Sequence, residues 1–276
     1  MRALRSPLTL AGGGLLLAAA VVALLAPALS PYHPRALVGL PLQRPSAVHL
    51  LGTNDIGQDI FSQVIWGTRP SLIVAVGASA LAVITGVLVG VGAGLAGGRA
   101  DSLAMRVVDL FLALPVLPLL VLIAALAGAS RLVIILVIGL IRWPEIARVT
   151  RGQTRTLRHR GFVGAAQGFG GGVPYLLRRH LVPALGPVIA AGVVSVATIA
   201  VLMEAGLAFL GLADPTVVSW GLMLNRALLF PGLYYSALWT WWVLPAGLAI
   251  SVVVLGLTFV GVGLEPMFNP RSGPRP

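Results

Sequence analysis

The chain holds few side chains that can do chemistry, and their types exclude more than they allow. None of its 276 residues is Cys, and all 19 basic residues are Arg. Without Cys there is no disulfide, no thiolate nucleophile and no Cys-ligated metal. Without Lys there is no G-x-x-x-x-G-K-[ST] loop to cradle a nucleoside triphosphate. Any ATP hydrolysis that serves this chain therefore takes place on another polypeptide. The four histidines, His33, His49, His159 and His180, form no H-E-x-x-H zinc motif, and no G-x-S-x-G elbow occurs. No enzyme, and no metal or cofactor on this chain, is expected.

What remains are acidic residues inside or beside apolar runs: Asp109, Glu145 and Glu204. An ionisable group at membrane depth is a functional candidate by default. All three lie toward the ends of their runs, where an interfacial or interhelical hydrogen bond is the simpler reading. A proton-coupled transporter would want such groups near the bilayer midplane.

These residues must be positioned by membrane helices. Mean hydropathy is +0.97 and only 10% of residues are charged, against about 25% in soluble domains. Six apolar segments stand out as candidates to cross a bilayer core of about 30 Å: Leu8 to Leu29, Ser71 to Ala96, Leu103 to Ala127, Leu132 to Ala147, Ala184 to Met203, and Leu238 to Leu257. The fourth is the weakest, being short, with Arg142 and Glu145 near its end. The first, preceded by Arg2 and Arg5 and closing on Ala26-Pro27-Ala28, has a rival reading as a signal peptide; its apolar run is longer than the usual h-region, so a retained helix is expected.

Charge orients the chain. With both termini inside, the inner segments hold Arg2, Arg5, Arg99, Arg106, Arg142, Arg148, Arg151, Arg155, Arg158, Arg160, Arg178, Arg179, Arg271 and Arg275. The outer segments hold only Arg35, Arg44, Arg69, Arg131 and Arg226. The positive-inside rule favours this orientation. It also accounts for the net charge of +11 without nucleic acid as a partner. The expected division is residues 1–70, a first membrane helix plus an external Pro-rich segment, and residues 71–276, a core of five membrane helices with an internal basic loop over 150–183.

Two further patterns carry information. Gly86, Gly90, Gly94 and Gly98 recur every four residues on one helix face, where small residues let a second helix approach closely. The internal loop reads GFVGAAQGFGGGVPYLLRRHLVP from Gly161 to Pro183. Phe162 to Gly168 predicts a two-turn helix, the glycines from Gly170 break it, Pro174 begins a second short helix, and Pro183 opens the next span. Helices this short need a partner, so the loop reads either as a docking knob or as an ordinary basic loop.

In spacing, this loop resembles the EAA loop of the membrane subunits of binding-protein-dependent ABC importers. Ala165 and Ala166 match its alanines, Gly170 its glycine and Pro183 its closing proline; Arg179 and His180 match the R-H-x-x-P form of the peptide branch. Gly164 stands where the acidic residue is expected. The resemblance extends further. LGTNDIGQD over Leu51 to Asp59 is similar to LGTDxxGRD, departing at Asn54 and Gln58. Gly67, Arg69, Ser71 and Leu72 resemble GxRxSL. Gly97, Gly98, Asp101, Met105, Arg106, Asp109 and Pro115 resemble GGxxDxxxMRxxDxxxxxP. Glu204 to Leu212 resembles EAxLSFLGL, Ser219-Trp220-Gly221 and Trp241-Trp242 also fit, and Asn269-Pro270-Arg271 is close to a terminal DPR. This ordered set resembles the C-type permease of the dipeptide, oligopeptide and nickel branch.

The resemblance implies an all-α polytopic fold of six transmembrane helices in the inner membrane. It implies a homologous second permease, two cytoplasmic ATPases that carry ATP and Mg, and an extracytoplasmic substrate-binding protein. It implies ATPase coupling through Phe162, Val163, Gly164, Ala165, Ala166, Gly170, Arg179, His180 and Pro183, and places Asn54, Asp55, Gln58 and Asp59 near the binding protein. The solute would be a peptide or a similar small molecule. The alternative is a secondary transporter or channel working without ATPases; a purely structural anchor leaves the basic loop unexplained.

Overall fold

The structure, a computed structural model, describes residues 6–128, 130–161 and 172–265. Among them there is no strand. The elements are α1 (Pro7–Leu24), a short turn α2 (Ala26–Leu29), α3 (Ile60–Ala96), α4 (Gly98–Leu112), α5 (Val116–Ala127), α6 (Arg131–Arg158), α7 (Val173–Leu176), a π-helical turn (Leu177–Leu181), α8 (Val182–Phe209), α9 (Trp220–Leu229) and α10 (Trp239–Leu264). Starts are capped as the sequence permits. Ser6, Asp59, Ser130 and Ser219 each accept a backbone amide three residues on, opening α1, α3, α6 and α9. Gly97 stops α3 and Gly98 opens α4, with φ of +67° and +56°, a conformation that favours glycine.

Among the described residues, four helices are individually long and apolar enough to cross a membrane: α1, α3, the rod ending in α8, and α10. The third expected span is instead the bent pair α4 and α5, which meet at 76° across a short break. Pro115 caps α5 with extended backbone and has no amide to continue α4. α6 has the length, but Arg142, Glu145 and Arg148 interrupt its apolar run.

Helix directions supply the count that composition leaves open. Along the α3–α6 contact, Gly77 faces Ile135, Leu81 faces Gly139, Gly86 faces Ile146 and Gly94 faces Thr154. Both numbers climb together, so these helices are parallel and the chain must cross between them; the bent pair is that crossing. Along α3 and α8, Ser71 meets Glu204, while Val83 and Gly192 approach each other, so these run antiparallel. α1 and α10 are antiparallel too, with Gly12 against Gly256 and Thr9 against Gly263. Six alternating passes satisfy all three relations.

α3 has 37 residues, which is about 55 Å of helix, well beyond a core of about 30 Å. It starts at Ile60, eleven residues before the expected span, so the division drawn at residue 70 falls inside one helix. Its length leaves several turns beyond the span, and its first turns carry residues 30–59, folded on them as a compact knob.

Candidate functional site

The glycine face of α3 is a seam against α6. A Cβ on Gly86 would come within 2.7 Å of the Trp143 carbonyl and the Ile146 side chain, and one on Gly94 within 2.8 Å of Thr154. At Gly90 it would collide with Thr150 Oγ1 and the Ala147 carbonyl. Thr150 is fully buried; its hydroxyl donates to the Ile146 carbonyl at 2.7 Å. Gly98 does not belong to this set. Nothing lies within 4 Å of its Cβ position, because the helix ends at Gly97 and the four-residue register ends with it.

The motif fragments on α3, α8 and α9 converge at one junction near the knob. Glu204, 4% exposed, accepts a hydrogen bond from Ser71 Oγ at 2.9 Å. Trp220 Nε1 donates to the Val64 carbonyl at 2.9 Å, over a bare Gly67 where a Cβ would come within 2.7 Å of the indole. Gly221 lies against the Ala205 carbonyl and the Ala208 side chain of α8. A nonpolar side chain at Ser71 would leave the Glu204 carboxylate short of a partner, which is costly in an apolar setting. The interhelical hydrogen bond expected as the simpler reading of Glu204 is what the structure shows.

The knob over residues 30–59, expected on the external side, departs from expectation. Asn54, Gln58 and Asp59 are 1%, 6% and 1% exposed, so they offer a binding protein almost no surface. They hold the knob together instead. Asp59 Oδ2 accepts the amide and hydroxyl of Ser62, and Oδ1 pairs with His49 Nδ1 at 2.9 Å. Asn54 Oδ1 accepts the amides of Ile56 and Gln58, and Gln58 Nε2 donates to the Arg35 carbonyl at 3.0 Å. Asp55 alone of the four is partly exposed. Arg69 ties this end to α1: its Nε donates to the Ala23 carbonyl at 2.6 Å, and it lies over the Trp66 ring.

On the opposite side α4 is fastened to α6 by charge. Asp101, buried, accepts both Nε and Nη2 of Arg151, the latter at 2.6 Å, with Arg155 at 3.8 Å. Asp109 pairs with Arg148, both more than half exposed. Arg142 and Glu145 pair within α6 at 2.6 Å. The sequence motif contained both aspartates, yet only their spacing against Arg148, Arg151 and Arg155 along α6 could have named the partners. A groove of about 340 Å³ opens between α6 and α8, lined by Glu145, Val149, Gln153, Val188, Gly192 and Ser195.

Of the expected coupling residues, Phe162, Val163, Gly164, Ala165, Ala166 and Gly170 lie outside the described residues. Arg179, His180 and Pro183 are described. The second short helix begins where Pro174 predicts it, but it does not stop before the span. α7, the π turn and α8 run on without a break. Arg178 and Arg179 are exposed on the π turn, and the His180 ring meets Tyr175 edge-on at 5.5 Å. π turns inside helices are frequent at functional positions.

Residues 86–273 match the family described as binding-protein-dependent transport system inner membrane component. Among individual proteins, the chain is 38% identical over 245 residues to a candidate peptide permease protein of Brucella suis biovar 1 (strain 1330), covering 88% of this chain and 80% of that one. It is 35% identical over 230 residues to the oligopeptide transport system permease protein of Bacillus subtilis (strain 168), covering 82% and 73%. It is 36% identical over 232 residues to the dipeptide transport system permease protein of Alkalihalophilus pseudofirmus, covering 83% and 74%.

Proposed function

Since the chain belongs to the family of binding-protein-dependent transport system inner membrane components, we propose that it forms half of the pathway of an ATP-driven peptide importer. It is a multi-pass membrane permease component. Its pathway surface is the α6–α8 groove, closed by a homologous second permease. Two cytoplasmic ATPases supply the work, and an extracytoplasmic binding protein delivers peptide. Both termini are cytoplasmic, which the arginine distribution supports.

One observation carries the coupling mechanism. Residues Val173 to Phe209 form one rod, about 55 Å long, with exposed Arg178 and Arg179 near its inner end and Glu204 bonded to Ser71 near its outer end. An ATPase that moves the loop therefore moves the outer junction as a rigid lever, and a ligand shifts such a switch only through contacts that differ between its states. Phe162 to Gly170 would provide those contacts from the loop.

The test is uptake of di- and oligopeptides by the reconstituted complex, with ATP hydrolysis measured alongside. Uptake is expected only with ATPases and binding protein present. Gly170→Val is expected to leave the chain in the membrane while separating hydrolysis from uptake. Uptake driven by a proton gradient without ATPases would favour the secondary transporter instead.

A further inference from the structure

We propose that the cavity between the external knob and α9 is an anchor pocket for a carboxylate side chain of the extracytoplasmic binding protein. The inference rests on the importer reading above. The cavity holds about 280 Å³ and is lined by Arg35, Gln58, Gln63, Thr216 and Arg226, with apolar lining from Leu222 and Met223. No ion pair among the described residues includes Arg35 or Arg226, whereas Arg142, Arg148, Arg151 and Arg155 each have a carboxylate partner. The nearby acid, Asp214, is engaged first by Thr216: hydrogen bonds from its side chain and amide, the latter at 2.8 Å, hold the Asp214 carboxyl below its ordinary value, with the charges of Arg35 and Arg131 adding to the same effect.

Both charges stand on fixed supports. The carbonyls of Arg35 and Pro34 are held by Gln58 Nε2 and Gln63 Nε2 at 3.0 and 3.1 Å. Arg226 projects from α9, which Trp220 pins to α3. A guanidinium fork is matched to a carboxylate and loses little freedom on binding it. Place selects a protein side chain over a solute: the pocket lies against the knob, beyond the spanning part of α3, where a partner arriving from outside meets it before the pathway.

The experiment uses the complete reconstituted importer and titrates the binding protein that supports its peptide uptake, reading the concentration for half-maximal stimulation of ATP hydrolysis. Arg226→Glu and Arg35→Glu are each expected to raise that concentration about tenfold or more, at little cost to the maximal rate. Added salt should weaken the wild type more than the double variant. Arg226→Lys, which keeps the charge but not the fork, should fall between. Unchanged titrations at low salt overturn the proposal. So does an unchanged titration with lost discrimination between free and C-terminally amidated peptide, which would put the solute in the pocket. If a glutamate variant does not assemble, Arg35→Gln and Arg226→Gln carry the same titration. Absence of ATP-driven uptake by the wild type would count against the importer reading itself, and that result is obtained before any variant is compared.

Discussion

At the scale of single residues, the α3–α6 seam makes the sharpest claim. Gly90 and Gly92 are two residues apart on the same helix, yet a Cβ on Gly90 meets Thr150 and the Ala147 backbone while one on Gly92 meets nothing within 4 Å. Gly90→Ala should therefore destabilise assembly by about 1–3 kcal/mol through overpacking. Gly92→Ala should be neutral or slightly stabilising, since alanine favours the helix. Thermal stability of the purified complex separates the two, and equal tolerance would remove the seam as a constraint. The ladder was legible in the sequence for Gly86, Gly90 and Gly94 because a helix repeats its face every four residues. It failed at Gly98 because periodicity does not reveal where the helix stops, and that stop depends on two successive glycines adopting positive φ. The burial of Asn54, Gln58 and Asp59 was not legible either. A short polar stretch has no hydrophobic period, and its partners, His49 and the Arg35 carbonyl, come from elsewhere in the knob.

At the scale of elements, the bent pair α4–α5 joins the core through Val108, Leu120 and Ala124, and ion pairs to α6 add to that hold on its α4 arm. Of α4 only Asp101 and Val108 are buried, and Asp101 takes the Arg151 guanidinium in two-point contact. Asp101→Asn should loosen α4 from α6, since removing one partner of a largely buried pair costs far more than the pair's net worth. The exchange Asp101→Arg with Arg151→Asp should recover part of the loss. Protease accessibility of the 97–115 stretch in membrane vesicles reads both, and no recovery by the exchange would show that the pair does not act as a unit. Hydropathy found this span but not its bend, because Ala113, Leu114 and Pro115 are as apolar as their neighbours. In α6 the reverse holds: Arg142 and Glu145 made the fourth segment the weakest reading, yet the parallel packing of α6 on α3 requires that pass.

At the scale of the whole molecule, orientation is testable because the chain has no Cys of its own, so each introduced thiol labels without background. Ser46→Cys and Thr216→Cys, both exposed on the knob side, should react with an impermeant reagent in intact cells. Thr156→Cys, exposed near the end of α6, should react only after the membrane is opened. External labelling of Thr156→Cys would invert the topology, and with it the assignment of the coupling loop to the ATPase side. The antiparallel contact of α1 with α10 bears on how the protein is made. α1 leaves the ribosome well before its partners on α10, Gly256, Phe259, Val260 and Gly263. Its tie to α3 through Arg69 can form first, but the face it packs on does not exist until α10 emerges. The nascent chain thus carries a half-mated helix beside the translocon until α10 arrives.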